Sequence, residues 1–531
     1  MRQIAVQKVD IVWFKRDLRV QDHAPLEAAS QTGNSVLPLY VVEDDYWAQP
    51  FASERHWLFL EACLIELRKD CAALGMPLVV RIGDVCAVLA DLQKQFDLQS
   101  IYAHEETGNG WTYERDKRVL NWCRDNKILF HEFPSNGVVR RLTNRDKWSF
   151  ERNRRMAQEM TPMPKALRPV DGIDPGVIPD VKNVFQDPGI SREVQQGGRS
   201  AGQDVLTSFV DSRVSQYLKC LSAPGLSEQY ASRLSPHLTW GTLSVREIVK
   251  TLSHYKNNAD PRVLTGSRRS LSAFQSRLSW RCHFIQKLED QPSIETKCMH
   301  DFFEGLRESE HNQDYYDAWK NGMTGYPFID ACMRNLNHNG WITFRMRAML
   351  VSFASYNLWL DWRKTGYHLA QVFTDYEPGI HYSQLQMQSG VTGINTVRIY
   401  NPVKQSMDHD PSGAFIRRWV PELQEVGSDW IHEPWKMDAG QQQKVQVKIG
   451  DTYPAPLTEH ASAVKLARAK MAEVFRREGF RQTSKVVYEK LGSRRRQSKR
   501  SGRHSKVKQE EKPKAQLSFL TRIFWLLCLL L

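Results

Sequence analysis

Residues 319–363 read WKNGMTGYPFIDACMRNLNHNGWITFRMRAMLVSFASYNLWLDWR, and residues 375–390 read DYEPGIHYSQLQMQSG. The first segment predicts two helices joined by a turn. Its first apolar stripe has helical spacing and consists of Ile329, Cys332, Met333 and Leu336. Asn339-Gly340 is a helix stop signal. A second stripe continues through Met346, Leu350, Phe353 and Leu360.

Charged side chains interrupt this apolar pattern. Arg345 and Arg347 lie inside the second predicted helix, and Asp375 and Glu377 follow it. A helical core accounts for the stripes without any function. A core alone does not explain why arginines lie within the second helix and acidic residues follow it. These segments therefore suggest a binding site as well as a core.

The length and composition indicate a globular protein. A chain of 531 residues predicts two or three domains, and 41% hydrophobic residues with 16 tryptophans are typical of aromatic-rich cores. The nine cysteines are scattered, with no Cys/His group at metal-ligand spacing. We therefore expect a reduced, monomeric, intracellular protein (cytoplasmic, nuclear or nucleoid-associated) without a disulfide framework or a metal.

The net charge of +13 is concentrated near the C-terminus. Residues 490–514 contain eleven Lys/Arg and two Glu, or +9, which leaves +4 for the rest of the chain. Such a run is typical of a solvated tail, of non-specific phosphate binding or of a localisation signal. The apolar end, residues 517–531, is too short to span a bilayer comfortably and contains Arg522. A membrane-surface anchor, a partner-binding helix and an atypical end of the gene product stay open.

Residues 1–150 alternate β-rich runs with helical patterns, which predicts an α/β domain with a doubly wound, mostly parallel sheet. The expected strands are Val9–Phe14, Val36–Val42, Leu78–Ile82, Ser100–Ala103 and Ile128–Phe133. The expected helices are Ser53–Ala73, Asp84–Gln95 and Thr112–Asn126. No G-x-G-x-x-G follows the first strand, so a standard dinucleotide fingerprint is missing.

Composition divides the rest of the chain. Residues 151–203 contain a stretch rich in Pro, Gly and Asp and are expected to be a linker. Residues 204–481 have helical periodicity throughout and predict a large all-α domain. Residues 482–531 are expected to be the basic, disordered tail with its short apolar end.

The motifs within 319–363 resemble the flavin-binding domain of the photolyase/cryptochrome family. The matching residues include Trp319, residues 324–327 (TGYP), Asp330, Gly340-Trp341, Arg345, Arg347, residues 361–363 (DWR) and Asp375. The opening WFKRDLRVQDHAPL, residues 13–26, resembles the N-terminal motif of that family. The resemblance covers roughly residues 9–475 and implies an all-α FAD-binding domain. It also implies a second pigment, a folate or deazaflavin antenna, for which Glu105, Glu106 and Glu114 are weak candidates.

The resemblance implies which residues hold FAD. The segment 231–238, ASRLSPHL, is a helix start with Ser235 expected as N-cap, and in the family it binds the FAD phosphates. Arg347 and Asp375 match the pair beside the isoalloxazine, and His381 takes the position facing its N5 atom. The expected FAD-binding residues are Tyr217, Ser232, Arg233, Leu234, Ser235, Phe274, Arg281, Trp341, Arg347, Asp375, Glu377 and His381.

The same resemblance implies a lesion pocket for UV-damaged DNA. Trp280 and Arg345 are expected to act there with His381, and the DNA-binding candidates are Arg277, Trp280, Arg345, Arg398 and Lys404. Arg277 replaces a glutamate of the cyclobutane-dimer enzymes. Thr343, Phe344 and Ala348 occupy positions where (6-4) enzymes place histidines, which disfavours that activity.

The flavin-reducing tryptophan chain of the family is altered. Trp362 and Trp319 match its middle and surface members, but Leu385 replaces the member next to the flavin. Trp359, one helical turn before Trp362 in the predicted helix, is a candidate substitute.

Together these features predict a light-dependent lyase that splits cyclobutane pyrimidine dimers by electron transfer from reduced FAD. A cryptochrome-type blue-light photoreceptor is the alternative, favoured by Arg277, His381 and Leu385. A light-independent flavoprotein that binds nucleic acid is a third class.

Overall fold

The structure is a computed structural model that describes residues 7–185 and 194–493. Part of the predicted linker and most of the predicted tail, including its apolar end, lie outside the described residues. Among the described residues, no helix combines the length and apolarity needed to cross a bilayer.

The N-terminal domain is built on one five-stranded sheet. Its strands are β1 (Lys8–Phe14), β2 (Ser35–Val42), β3 (Val79–Ile82), β4 (Asp97–His104) and β5 (Leu129–Phe133). The order is β3-β2-β1-β4-β5, and every neighbouring pair is parallel. The predicted doubly wound sheet is confirmed, with all pairs parallel. The chain winds outward on both sides of β1, so the topological switch point lies between β1 and β4, where open α/β sheets bind ligands.

Helices cover the sheet because its strands are apolar on both faces. The three predicted helices are present with ends shifted by one or two residues. The helix Ala24–Ser30 was not predicted; it begins with Pro25 in its first turn and His23 accepting from the amide of Leu26. The helices of this domain are Ala24–Ser30, Asp44–Trp47, Glu54–Ala73, Val85–Gln95 and Gly110–Asp125.

The segment between the domains is partly regular. Helix Trp148–Ala157 begins before residue 151, a short helix forms at Val181–Val184, and helix Arg199–Ser208 crosses residue 203. The stretch between the first two is bound to the sheet by backbone hydrogen bonds, such as those from Val36 N to Arg168 O and from Val80 N to Pro175 O. Those residues therefore form part of the α/β domain's surface layer.

The C-terminal domain is helical, as predicted. Helix Pro327–Asn339 ends at Gly340, whose φ of 68° is the left-handed conformation expected at a helix stop. The long helix Pro261–Asp290 packs along helix Pro378–Ser389. Besides short 3-10 turns, the other helices described in this domain are Phe209–Arg213 (π), Val214–Cys220, Pro224–Tyr230, Ser235–Thr239, Val245–Asn258, Gln313–Asn321, Phe344–Ser352, Phe353–Asn357 (π), Trp362–Val372, Pro402–His409, Ala414–Trp419, Ala439–Lys444, His460–Arg476 and Phe480–Leu491.

Two predictions about this domain are wrong. The second helix of the opening segment ends at Asn357, so Leu360 lies beyond it, and Trp359 has a left-handed φ of 53° instead of lying one helical turn before Trp362. Residues 482–491, assigned to the tail, belong to helix Phe480–Leu491. That helix forms because Phe480, Val487 and Leu491 bury an apolar stripe beneath its basic surface.

Candidate functional site

Most of the predicted site residues line one cavity of about 250 Å³ in the helical domain, the first cavity. Its walls come from segment 217–239, the long helix Pro261–Asp290, residues 341–347 and the start of helix Pro378–Ser389. The predicted residues on these walls are Tyr217, Ser232, Leu234, Ser235, Phe274, Arg277, Trp280, Arg281, Trp341, Arg347, Asp375 and Glu377. Sequence positions more than 150 residues apart are thus brought together.

Arg347 and Asp375 form a two-pronged ion pair on this wall. Arg347 Nη1 and Nη2 donate to Asp375 Oδ1 and Oδ2 at 2.9 and 3.0 Å. Burial alone would raise the pKa of Asp375, but the Arg347 charge and hydrogen bonds from Arg347 and Ser235 outweigh it and lower that pKa. The carboxylate is therefore ionised and holds the guanidinium in one orientation.

Glu377 joins three parts of the chain. It accepts from Arg281 Nη2 at 2.7 Å, and its Oε1 lies 3.7 Å from Nη1 of Arg16 in the N-terminal domain. Arg16 also donates to the carbonyls of Thr239 and Tyr376. Arg16 was not predicted as a site residue, although it lies in the motif at residues 13–26. An arginine following a sheet strand gave no sign that it reaches the helical domain.

The segment before helix Ser235–Thr239 differs in detail from its prediction. The N-cap is Leu234 rather than Ser235, and no side chain caps the helix; the Ser235 hydroxyl instead bonds to Asp375. Arg233 has a left-handed φ of 57°, which is uncommon for a residue other than glycine and is found at strained functional sites. Its guanidinium lies 4.4 Å from the Trp341 ring centroid. Burial lowers the pKa of Arg233 to about 10, so it stays cationic at neutral pH.

Phe274, Tyr217 and Arg277 form the far wall of the cavity. Phe274 packs edge-on against Tyr217 with ring centroids 5.6 Å apart. Burial raises the pKa of Tyr217, and the charge and hydrogen bond of Arg277 partly oppose that rise. Arg277, predicted to contact DNA, therefore hydrogen-bonds the Tyr217 hydroxyl within the first cavity.

His381 lies on a side pocket of about 60 Å³ that shares Arg347, Asp375 and Glu377 with the first cavity. Its Nε2 is 2.9 Å from the Gly366 carbonyl, and burial lowers its pKa to about 3. A carbonyl only accepts, so Nε2 carries the proton and Nδ1 is the acceptor of a neutral ring. Leu385 lies on the same pocket, packed against the backbone at Gly366, where an added Cβ would lie 2.7 Å from Leu385 Cδ1.

A second cavity of about 300 Å³ adjoins the first. The two share Trp280, Phe284 and Phe344 as walls. Arg345 and Arg398, both predicted to bind DNA, line the second cavity, and Tyr488, Gly492 and Ser493 close one side. Arg345 Nε donates to Ser222 Oγ at 2.8 Å. Lys404 is not on either wall; it is exposed and paired with Asp408 at 3.1 Å.

The three candidate relay tryptophans have different surroundings. Trp319 is fully buried and donates from Nε1 to Leu350 O, so it does not lie at the surface; its part in an electron relay stays a prediction. Trp362 is also buried, beneath Arg363, which three carboxylates neutralise. Trp359 is partly exposed between Arg307 and Lys470, whose cationic groups lie 4.4 and 4.8 Å from its ring centroid.

The switch-point crevice of the α/β domain is filled by its own side chains. Arg115 pairs with Glu43, Glu106 and Asp116, and Lys15 pairs with Asp116 at 2.8 Å. Two small spaces remain, one of about 30 Å³ beside Trp13 and Arg115 and one of about 60 Å³ beside His104 and Glu105, each with room for a few water molecules. Glu114 points away and pairs with Lys117 on the surface. A pigment at this crevice would have to displace the ion-pair network.

One buried group has the composition of a metal site. Asp17 Oδ2 lies 2.9 Å from His23 Nε2 and 2.7 Å from His104 Nδ1. His23 Nδ1 in turn accepts from the Leu26 amide. Burial lowers the pKa of both histidines, so both are neutral and donate to the carboxylate. These hydrogen bonds anchor the turn after β1 and thereby position Arg16.

Comparison with known proteins identifies both domains. Residues 10–168 match the family description of DNA photolyase, and residues 274–473 match the FAD binding domain of DNA photolyase. The chain belongs to the photolyase/cryptochrome family. The predicted family, fold and FAD cofactor are thus confirmed.

Some relatives within the photolyase/cryptochrome family are named photolyases and others cryptochromes. A deoxyribodipyrimidine photo-lyase of Streptomyces griseus is 29% identical over 86% of this chain and 97% of its own length. A cryptochrome DASH of Gloeobacter violaceus is 28% identical over 85% and 93%. The crystal structure of a class III photolyase from Agrobacterium tumefaciens superimposes with a TM-score of 0.76 at 26% identity, covering 90% of this chain and all of that one.

The first cavity has the donors that FAD requires. Arg281 Nη1 is buried without a hydrogen-bond partner among the described residues, whereas its Nη2 donates to the Leu238 carbonyl. An orphaned guanidinium nitrogen on a cavity wall is costly unless a ligand accepts from it. With cationic Arg233 and Arg347 nearby, the cavity suits an anionic ligand with aromatic rings.

Proposed function

We propose that this chain is a light-dependent DNA lyase that splits cyclobutane pyrimidine dimers. The observation that carries the proposal is the shared wall: Trp280, Phe284 and Phe344 separate the FAD-binding first cavity from a second cavity lined by Arg345 and Arg398. Two adjacent pyrimidines of one strand, joined as a dimer, can leave the duplex, enter such a cavity and stack on its aromatic walls. When bound and reduced, FAD supplies a light-driven electron to the dimer.

The protein's own residues hold the cofactor and position the lesion. We infer that Tyr217, Ser232, Arg233, Leu234 and Ser235 hold the diphosphate and its ribose. Arg281, Trp341, Arg347, Asp375 and Glu377, with Phe274, surround the ring system. The cationic Arg347 compensates negative charge on the ring, and Asp375 keeps that cation oriented. His381 keeps a neutral Nδ1 acceptor beside this pair.

Arg345 and Arg398 would neutralise phosphates on either side of the flipped nucleotides. Trp280 offers its ring to them and stacks on Phe284 with centroids 5.7 Å apart. Arg277 would act on the FAD side, through Tyr217, instead of contacting DNA. A cyclobutane dimer is the expected substrate because Thr343, Phe344 and Ala348 offer no histidine pair for a (6-4) lesion. We also infer an intracellular location, where DNA is the partner.

The test is a repair assay on the fully reduced holoprotein. Single- and double-stranded oligonucleotides with one thymine dimer are illuminated and compared with dark controls. We expect light-dependent loss of dimers, and a Trp280→Ala variant with normal FAD content should lose most of it. A Trp419→Ala variant, distant from both cavities, is the matched control. No light-dependent loss by the wild-type protein would reject the repair function.

A cryptochrome-type photoreceptor is the second candidate, favoured by Leu385 and by helix Phe480–Leu491 beside the second cavity. A signalling protein needs a segment whose conformation responds to light. This helix lies beside the second cavity, which shares walls with the cavity proposed to hold FAD. Hydrogen exchange of residues 480–491 in light and dark, without DNA, tests it. Faster exchange in light together with absent repair would favour the photoreceptor.

A further inference from the structure

A lysine in the second cavity has no role in the proposed repair reaction. The face of helix Pro261–Asp290 that lines the cavities carries Arg277, Trp280, Phe284 and Lys287, spaced by three or four residues. The last of these, Lys287, is 4% exposed and lies on the wall of the second cavity. Its Nζ lies 5.3 Å from the Phe284 ring centroid.

The amine of Lys287 is unpaired. Within residues 7–185 and 194–493 it has no hydrogen-bond acceptor and no carboxylate partner. Burial and the positive charge of Arg145 lower its pKa to about 7. The amine is therefore partly neutral at neutral pH, and the neutral amine is the reactive form toward carbonyl groups.

The groups around Lys287 favour its neutral form. His283 shares the cavity from the same helix, and its Nδ1 is 2.8 Å from Nη2 of Arg145. Arg345 and Arg398 face the cavity from other segments, and Tyr488 faces it from the last helix. Arg145, although paired with Asp290 at 3.2 Å, disfavours a positive charge on Lys287. Arg345 and Arg398 on the cavity wall attract the phosphates of a nucleic acid.

We propose that Lys287 captures the aldehyde of an abasic deoxyribose in DNA as an imine. The inference rests on the proposed function in one respect, that a flipped nucleotide enters the second cavity. An abasic site has no base to fill the aromatic part of the cavity, so its ring-opened sugar can reach the amine. The neutral amine adds to the C1′ carbonyl, and the adduct loses water. Both amine hydrogens leave with the carbonyl oxygen, nothing is oxidised or reduced, and water reverses the reaction.

The test is reductive trapping in the dark at pH 7, with cyanoborohydride and an oligonucleotide containing one abasic site. We expect a covalent protein–DNA adduct, and peptide mapping should place it on Lys287. Lys287→Gln should lower the adduct yield at least about tenfold, as expected for loss of a nucleophile. Lys256→Gln, whose amine is bonded to Gln275, is the matched control and should leave the yield unchanged.

Two outcomes would overturn the inference: no adduct, or an adduct that maps only to lysines of residues 494–514. Peptide mapping on the wild-type protein identifies the modified lysine even where a variant folds poorly. Trapping requires neither light nor reduced FAD. An adduct without dimer repair would therefore reject the proposed function alone, and repair without an adduct would reject this inference alone.

Discussion

Nη1 of Arg16 in the α/β domain lies 3.7 Å from Oε1 of Glu377 in the helical domain. The same arginine donates to the carbonyl of Thr239, a first-cavity residue, and to that of Tyr376, which lies between Asp375 and Glu377. Arg16 does not line the first cavity itself, but it contacts the backbone of Thr239 and the carboxylate of Glu377, which both do. We therefore infer that the α/β domain supports the wall of the first cavity from outside.

Arg16→Ala should weaken FAD binding about tenfold, because one charge-assisted interaction and two carbonyl hydrogen bonds at the cavity wall are lost. The measurement is the FAD content after dialysis and the dissociation rate followed by flavin fluorescence. Arg81→Ala is the control, since Arg81 donates only to backbone carbonyls of its own domain's surface. Equal FAD retention in both variants would contradict a role for Arg16.

Asp375→Asn should lower both FAD content and stability. It leaves Arg347 without its carboxylate in a largely buried position, which costs about 2–3 kcal/mol of unfolding free energy. Denaturant unfolding of the apoprotein measures this cost. Asp408→Asn, which removes an exposed pair with Lys404, should cost about 0–1 kcal/mol.

Trp362→Phe should slow photoreduction of the bound FAD several-fold, whereas Trp359→Phe should leave it unchanged. An oxidised tryptophan is cationic, and Arg307, which donates to backbone carbonyls, lies 4.4 Å from the Trp359 ring centroid. Lys470 on the other side is paired with Glu310, which also accepts from Trp359 Nε1, so Arg307 is the cation that disfavours oxidation there. Trp362 lies beneath an arginine that carboxylates neutralise. Absorbance at 450 nm under blue light with an external donor measures the rates. An unchanged rate in Trp362→Phe would exclude it as a relay.

His381 should make the protein more sensitive to acid. Its pKa is lowered to about 3 in the folded state from an ordinary 6.5, so the folded state favours the neutral ring. The unfolded chain binds a proton first, and stability is lost as pH falls below 6.5. The loss is about 1.4 kcal/mol for each pH unit. Unfolding of His381→Asn between pH 7 and 5 should show a shallower dependence than the wild type.

Arg398→Ala should reduce the salt dependence of DNA binding. Each lost phosphate contact lowers the slope of log affinity against log salt by about 1. Fluorescence anisotropy with dimer-containing DNA from 50 to 300 mM salt measures this slope. Lys404→Ala should change it little, since Lys404 pairs with Asp408 away from the cavity. Equal slopes for the two variants would contradict this assignment.

Most of the fold could be predicted from periodicity. The five strands are apolar runs bounded by turn residues, and the helix before Gly340 has both a stripe and a stop signal. Helix Phe480–Leu491 was missed because its exposed basic residues dominate its composition, while only Phe480, Val487 and Leu491 are buried. The π-helical end at Asn357 depends on tertiary packing, which periodicity does not record.

The site could be predicted only where motifs are local. Asp375, Glu377 and Arg347 follow from the resemblance, and Gln384 on the same cavity wall could have been found from its helical spacing with Glu377 and Ile380. Arg16 could not, because its partner is 361 residues away. The hydrogen bond of Arg277 to Tyr217 could not be predicted either. An arginine in place of a glutamate reverses the charge at that position, but the sequence does not show which neighbouring group the arginine contacts.

Trp280, Phe284 and Phe344 form the shared wall of the two cavities. A molecule that enters the second cavity changes the polarity and polarisability on one side of this shared wall. A flavin in the first cavity, on the other side of the wall, lies close enough to sense that change. The yellow colour of the holoprotein should then shift when a nucleotide enters. The protein would report its own occupancy in an ordinary absorption spectrum, without a label.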